Sequence, residues 1–197
     1  MKRVLLLAIG VLFCAAPSQA QSLGDMLGSL FGSSSTTTQA APEPKHPTAE
    51  QIVGRWVYQQ LDMEYSGNST IASMGVATAK TQLSSIAKIA KLTSGKDYVV
   101  LSNNGTFYLE SGERKIEGKY SYIPDGGRLI LTSGDDLKAE AIVTITDDSG
   151  RIMFNAKQAV ATAMEKSKTL KESTTFQVIK EVIMAYPGIS VGATMKK

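Results

Sequence analysis

The chain has 197 residues, with 21 Lys and Arg against 18 Asp and Glu, a single histidine and a single cysteine. A formal charge of +3 lacks the concentrated basic footprint that nucleic-acid binding requires. One histidine cannot build a histidine-based metal site, and His46 sits between Lys45 and Pro47 with no Asp or Ser neighbour to complete a triad.

In chain order, Lys2 and Arg3 precede an apolar run from Val4 to Phe13, and Pro17-Ser18-Gln19-Ala20 then supplies small residues. This is the three-part layout of a secretory signal peptide, expected over residues 1–20 with cleavage after Ala20. The apolar run is well short of the ~20 residues that cross a bilayer, and no later segment is apolar enough to do so. Export to the periplasm, to the outer membrane or beyond it is therefore expected. Cys14 invites a second reading as a lipid acceptor, but Phe13 stands where such signals want a small side chain. With ordinary cleavage the mature chain has no cysteine, so disulfides and thiolate chemistry are excluded. Loss of Lys2 and Arg3 also takes the charge from +3 to +1.

Residues 21–47 read as a leader and linker. Leu23, Met26, Leu27, Leu30 and Phe31 have helical spacing without a basic polar face, and a Ser/Thr/Pro-rich stretch follows. His46 is expected to be a solvated part of that linker. One domain of residues 48–197 remains, long enough to bury ~70% of its unfolded surface.

Within it, Thr48 caps a short helical turn at 48–53, with Gln51 three residues on. A strand at 54–61 puts Trp56, Tyr58 and Gln60 on one side and Val57, Gln59 and Leu61 on the other. A helix over 69–93 carries Leu83, Ile86, Ala87 and Ala90 at i, i+3, i+4 and i+7 and stops before Gly95. Strands at 97–102, 106–110, 115–123, 128–132, 138–146 and 151–155 alternate with Gly- and Asp-rich turns, of which Asn104-Gly105 is the strongest hairpin signal. Helices follow at 156–168 and after Ser173, with Phe176, Ile179, Val182, Ile183 and Tyr186 on one face. A strand at 189–195 closes the set. The fold class is mainly β with inserted helices (α+β): an antiparallel barrel of about eight strands with three helices.

Gly54-Arg55-Trp56 on the first strand resembles the Gly-X-Trp signature of lipocalins. The wider layout is similar to a secreted lipocalin-like family of unknown function from anaerobic Gram-negative bacteria. The residues carrying this likeness are Gly54 to Tyr58, the Ala/Lys-rich segment 72–91, and Tyr186-Pro187-Gly188-Ile189-Ser190-Val191-Gly192. The resemblance implies a barrel with Trp56 plugging its closed end. It implies no catalytic residues.

Candidate lining residues for a small-molecule site are Trp56, Tyr58, Tyr120, Tyr122 and Phe154, with Tyr98 and Phe107 also at strand spacing. They either line an apolar pocket or fill the core. Inward Gly118, Ala139 and Ala141 would leave room, and the helix after strand one would serve as a lid. Lys80, Lys88 and Lys91 share a helical side, with Lys96 beyond. They either hold an anion or form the solvated face. Asp135-Asp136 and Asp147-Asp148 lie in expected turns, where Asp is favoured for backbone bonding rather than catalysis. Sequons at Asn68 and Asn104 read as a helix cap and a turn. The expected protein is not an enzyme, needs no cofactor or metal, and binds a small apolar or amphipathic molecule. The alternative is a solid barrel whose outside meets an envelope protein.

Overall fold

The computed structural model describes residues 45–197 apart from 113, 135, 136 and 147. The expected signal peptide, Cys14 and most of the leader lie outside the described residues, as do Asp135, Asp136 and Asp147 of the acidic pairs.

Eight strands form one closed antiparallel barrel in simple sequence order: β1 (Gly54–Tyr65), β2 (Tyr98–Leu101), β3 (Thr106–Ser111), β4 (Arg114–Ile123), β5 (Arg128–Ser133), β6 (Leu137–Thr146), β7 (Ser149–Asn155) and β8 (Ile189–Lys196). β8 pairs back onto β1 and removes both sheet edges. Around this ring stand α1 (Ala49–Ile52), α2 (Thr70–Ile89), α3 (Ala156–Lys166), α4 (Lys168–Glu172) and α5 (Thr174–Ala185). The three longer helices are those the apolar spacing predicts.

An up-and-down barrel has two poles, and here the connections differ sharply between them. At one pole β2–β3, β4–β5 and β6–β7 are joined by short turns. The Asn104 carboxamide accepts from the Thr106 N–H at 3.1 Å and from its hydroxyl at 2.7 Å, so that sequon is a turn. The other sequon holds a cap, as expected: the hydroxyl of its Ser69 accepts from the Ala72 N–H at the start of α2. At the second pole β1–β2 is joined through α2, and β7–β8 through α3, α4 and α5, so the long helices gather there.

The first pole is sealed. Trp56 is 4% exposed, and its indole N–H donates to the Ile52 carbonyl at 2.7 Å, which ties α1 under the barrel. The indole lies so close to Gly150 that a Cβ there would stand 2.7 Å from its Cζ3. The fold begins before Thr48. Lys45 makes an antiparallel bridge to Ile145, and Pro47 is buried and accepts from the Tyr122 hydroxyl at 2.7 Å. His46 is exposed as expected of a linker, yet its Nδ1 lies 3.1 Å from the Val143 carbonyl oxygen, so this residue belongs to a strap and not to a free linker.

Two elements depart from the sequence reading. β1 continues to Tyr65 instead of ending at Leu61, and its register shifts between Tyr58 and Gln60. An extra residue in one strand reverses the alternation beyond it. Leu61, Met63 and Tyr65 thereby turn to the inner side with Trp56 and Tyr58, where strict alternation put Leu61 outside. The helix expected over 156–168 breaks at Ser167, which is extended (φ −121°, ψ 108°) and uses its hydroxyl to cap α4 through the Leu170 N–H. A serine hydroxyl offers the backbone that alternative to helix continuation.

Candidate functional site

The apolar interior falls into two clusters that meet at Leu61 and Leu92. One surrounds Trp56, Phe107 and Leu129 inside the barrel. The other unites Met63 and Ile189 with the inner faces of α2 (Val76, Leu83, Ile86), α3 (Ala156, Val160, Ala163) and α5 (Phe176, Ile179, Ile183). Between them lies a cavity of about 170 Å³. Its floor is the mid-barrel layer of Leu101, Leu129, Leu131 and Met195, and its roof is formed by side chains of the three helices.

The space exists for identifiable local reasons. Ala90, Ala159 and Ala193, from three separate elements, present only methyl groups to it. β2 pairs with only four residues of β1, Gly54 to Val57, so the barrel wall parts beyond that point. The segment after α2 fills the gap, with Lys91 in the left-handed region at φ 56° and Leu92 and Asp97 facing the cavity. The small inward residues picked from the sequence lie elsewhere. Phe107 packs directly against Gly118, and Ala139 and Ala141 are buried away from the cavity wall.

Of the five candidate lining residues, the structure brings Tyr58 and Phe154 to the cavity wall. Trp56 lies beneath the floor in the sealed pole. Tyr120 and Tyr122 are half-buried against the Trp56 cluster, with hydroxyls donating to the carbonyls of Ser102 and Pro47, each at 2.7 Å. Tyr98 turns to the outer face beside Tyr108. Both hydroxyls donate to Glu110, at 3.0 and 2.7 Å, and the Arg55 guanidinium stacks 4.0 Å from the Tyr98 ring centroid.

Polar groups on the wall are few. Asp97 is 5% exposed and held by three donors: Oδ2 accepts from the Thr93 N–H and the Ser111 hydroxyl, each at 2.9 Å, and Oδ1 from the Gly112 N–H at 3.2 Å. Tyr58 is 6% exposed. Burial pushes its hydroxyl up to about 12, with the Asp97 charge adding to the rise and a backbone hydrogen bond at Leu61 opposing it. The phenol is therefore neutral at any physiological pH. Sequence reading missed Asp97 because nothing local marks it. Two of its three donors come from the far end of β3.

A second buried carboxylate lies on the outer face of β1. Asp62 meets Lys80 of α2 at 2.8 Å and Arg151 of β7 at 2.7 Å, and Arg151 also reaches Glu64 at 3.0 Å. Burial alone would raise the Asp62 carboxyl. The Lys80 hydrogen bond, the Met63 N–H and the two cationic charges together hold it below its ordinary value. Lys80 thus ties α2 to the barrel, while Lys88 and Lys91 stay exposed. Among the described residues no group of three His, Cys, Asp or Glu side chains is placed to hold a metal, and no helix is long and apolar enough to cross a membrane.

A closed eight-stranded meander, plugged at one pole by a tryptophan from its first strand and roofed by helices at the other, is a lipocalin-like barrel. The chain matches the family model described as Lipocalin-like domain (DUF4923) over residues 28–197, and it belongs to that family, whose function is unassigned. It matches no curated protein and no solved structure.

Proposed function

We propose that the protein is a non-enzymatic, exported binder of a small apolar or amphipathic molecule. The observation that carries this reading is the cavity beneath the helical roof, most of whose lining residues are Leu, Ile, Val, Phe and Ala. Apolar cavities of ~150 Å³ remain dry and take up molecules of benzene's size, so about 170 Å³ fits a single ring or a short chain, not a drug-sized ligand. Absence of catalysis is supported by the wall's chemistry, since its buried carboxylate is committed to three local donors and its phenol stays protonated. Export is supported by Lys2, Arg3 and the apolar run to Phe13.

Titration with toluene, followed by thermal unfolding and by native mass spectrometry of protein purified without detergent, tests the reading. At about ten times Kd a ligand restricted to the native state adds about 1.4 kcal/mol. That raises Tm by roughly 3–6 °C for a domain of this size. No saturable rise up to the solubility of toluene, with no co-purifying ligand, rejects the binder.

A second reading has its own observation. Ile71 and Met74 of α2 and Met184 of α5 are exposed large apolar side chains on the roof helices, at 71%, 44% and 55%. They suit a contact with an envelope protein. The toluene result separates this from the first reading, because an outer contact needs no occupied cavity.

A further inference from the structure

From the polar groups on the cavity wall we infer that the ligand carries one hydrogen-bond-donating head group, as in a short-chain alcohol or a protonated amine, and that the matching carboxylate is excluded. This rests on the binder reading and adds the chemical class of what is bound.

The wall includes no Lys, Arg or His among the described residues. The polar residues along it are Tyr58, Tyr98, Asp97, Glu110 and Ser111. Three of these are spent. Tyr98 and Glu110 bond each other on the outer face, and the Ser111 hydroxyl donates to Asp97. The Thr93 and Gly112 N–H groups, which would otherwise be ready to hold an anion, also donate to Asp97. A carboxylate offers about four acceptor positions, and three are filled. The remaining one is on Oδ1, whose single bond is the longest of the set at 3.2 Å. A head group that donates a hydrogen bond completes this carboxylate. An anionic head meets the Asp97 carboxylate in an almost wholly apolar cavity whose wall carries no cation among the described residues, and placing an uncompensated charge there is unfavourable.

The test compares 1-hexanol, hexylamine and hexanoate at pH 7, by calorimetric titration and thermal shift on the full chain. The expected result is saturable binding of 1-hexanol and hexylamine, with hexanoate at least tenfold weaker than 1-hexanol. A difference below tenfold overturns the inference. In Asp97→Asn the gap between 1-hexanol and hexanoate is expected to narrow to about threefold. A folded Asp97→Asn protein that keeps the full gap overturns the assignment to Asp97. If that variant fails to fold, the ranking on the natural chain still decides. Toluene separates the two levels: binding of toluene with none of the three six-carbon ligands rejects the head-group inference alone, whereas failure of toluene as well rejects the cavity reading beneath it.

Discussion

The two poles of this barrel are filled by different means. At the strap pole a single large ring does the sealing. Trp56 spans the interior, bonds the Ile52 carbonyl, and rests on a glycine with no room for a methyl group. At the roof pole the filling comes from three amphipathic helices drawn from two separate stretches of the chain, and the side chains that meet there leave about 170 Å³ unfilled. A close-packed interior tolerates few voids larger than a water molecule. The contrast shows that one continuous sheet can hold a close-packed plug and an unfilled chamber side by side, when the side chains facing each other come from different kinds of element.

The sharpest way to break the comparison is at the plug. Trp56→Ala is expected to cost about 3–5 kcal/mol, the usual range for deleting a buried aromatic, measured as a lower urea midpoint at constant m. A loss under about 1.5 kcal/mol means that the strap pole is not held by the indole.

Next in size is the clamp between barrel and roof. Asp62→Asn is expected to cost about 1–2 kcal/mol at pH 7, below the 3–5 of a fully buried pair because Lys80 is about half exposed. The folded carboxyl sits below its ordinary value of 3.8, so its contribution is complete above 3.8 and disappears as the pH falls through the lower folded value. The stability difference between the natural chain and Asp62→Asn is accordingly expected to shrink only below about pH 4. A difference that is unchanged from pH 7 to pH 3 removes Asp62 as the charged partner of Lys80 and Arg151.

The smallest expected effect on stability is at the roof. Val160→Phe grows into existing space, so its cost is expected to stay under about 1 kcal/mol, against the 1–3 typical of an overpacked core. The toluene-dependent rise in Tm is expected to vanish. Full retention of that rise would show that toluene binds elsewhere.

How much of this was legible in the sequence depends on the range of the physics involved. The strands from Thr106 to Asn155 were readable because Gly and Asp turns mark their ends and period-2 alternation runs between them. The roof helices were readable from apolar spacing, helped by the cap signal of the Asn68 sequon. The bulge near Gln59 was not, since Gln59 and Gln60 are both polar and no local pattern announces an extra residue. The chamber was illegible for a deeper reason. Ala90, Ala159 and Ala193 have no relation along the chain, and only the closed ring brings them together, whereas Gly118 looked like open space and is covered by Phe107. The aromatic candidates divided along the same line: strand spacing showed that Trp56, Tyr58, Tyr120, Tyr122 and Phe154 point inward, but it could not show at what height.

The strap from Lys45 to Pro47 has one more consequence. It fastens the start of the described chain beside Ile145 and Val143, at the plugged pole. A tether attached upstream of Lys45, whether a bilayer, a particle or an affinity tag, therefore grips the molecule by its base and leaves α2 and α5 pointing away from the support. Immobilisation through that end keeps the helical face free for approach, and a tether through Lys197, beside Gln51, does the same.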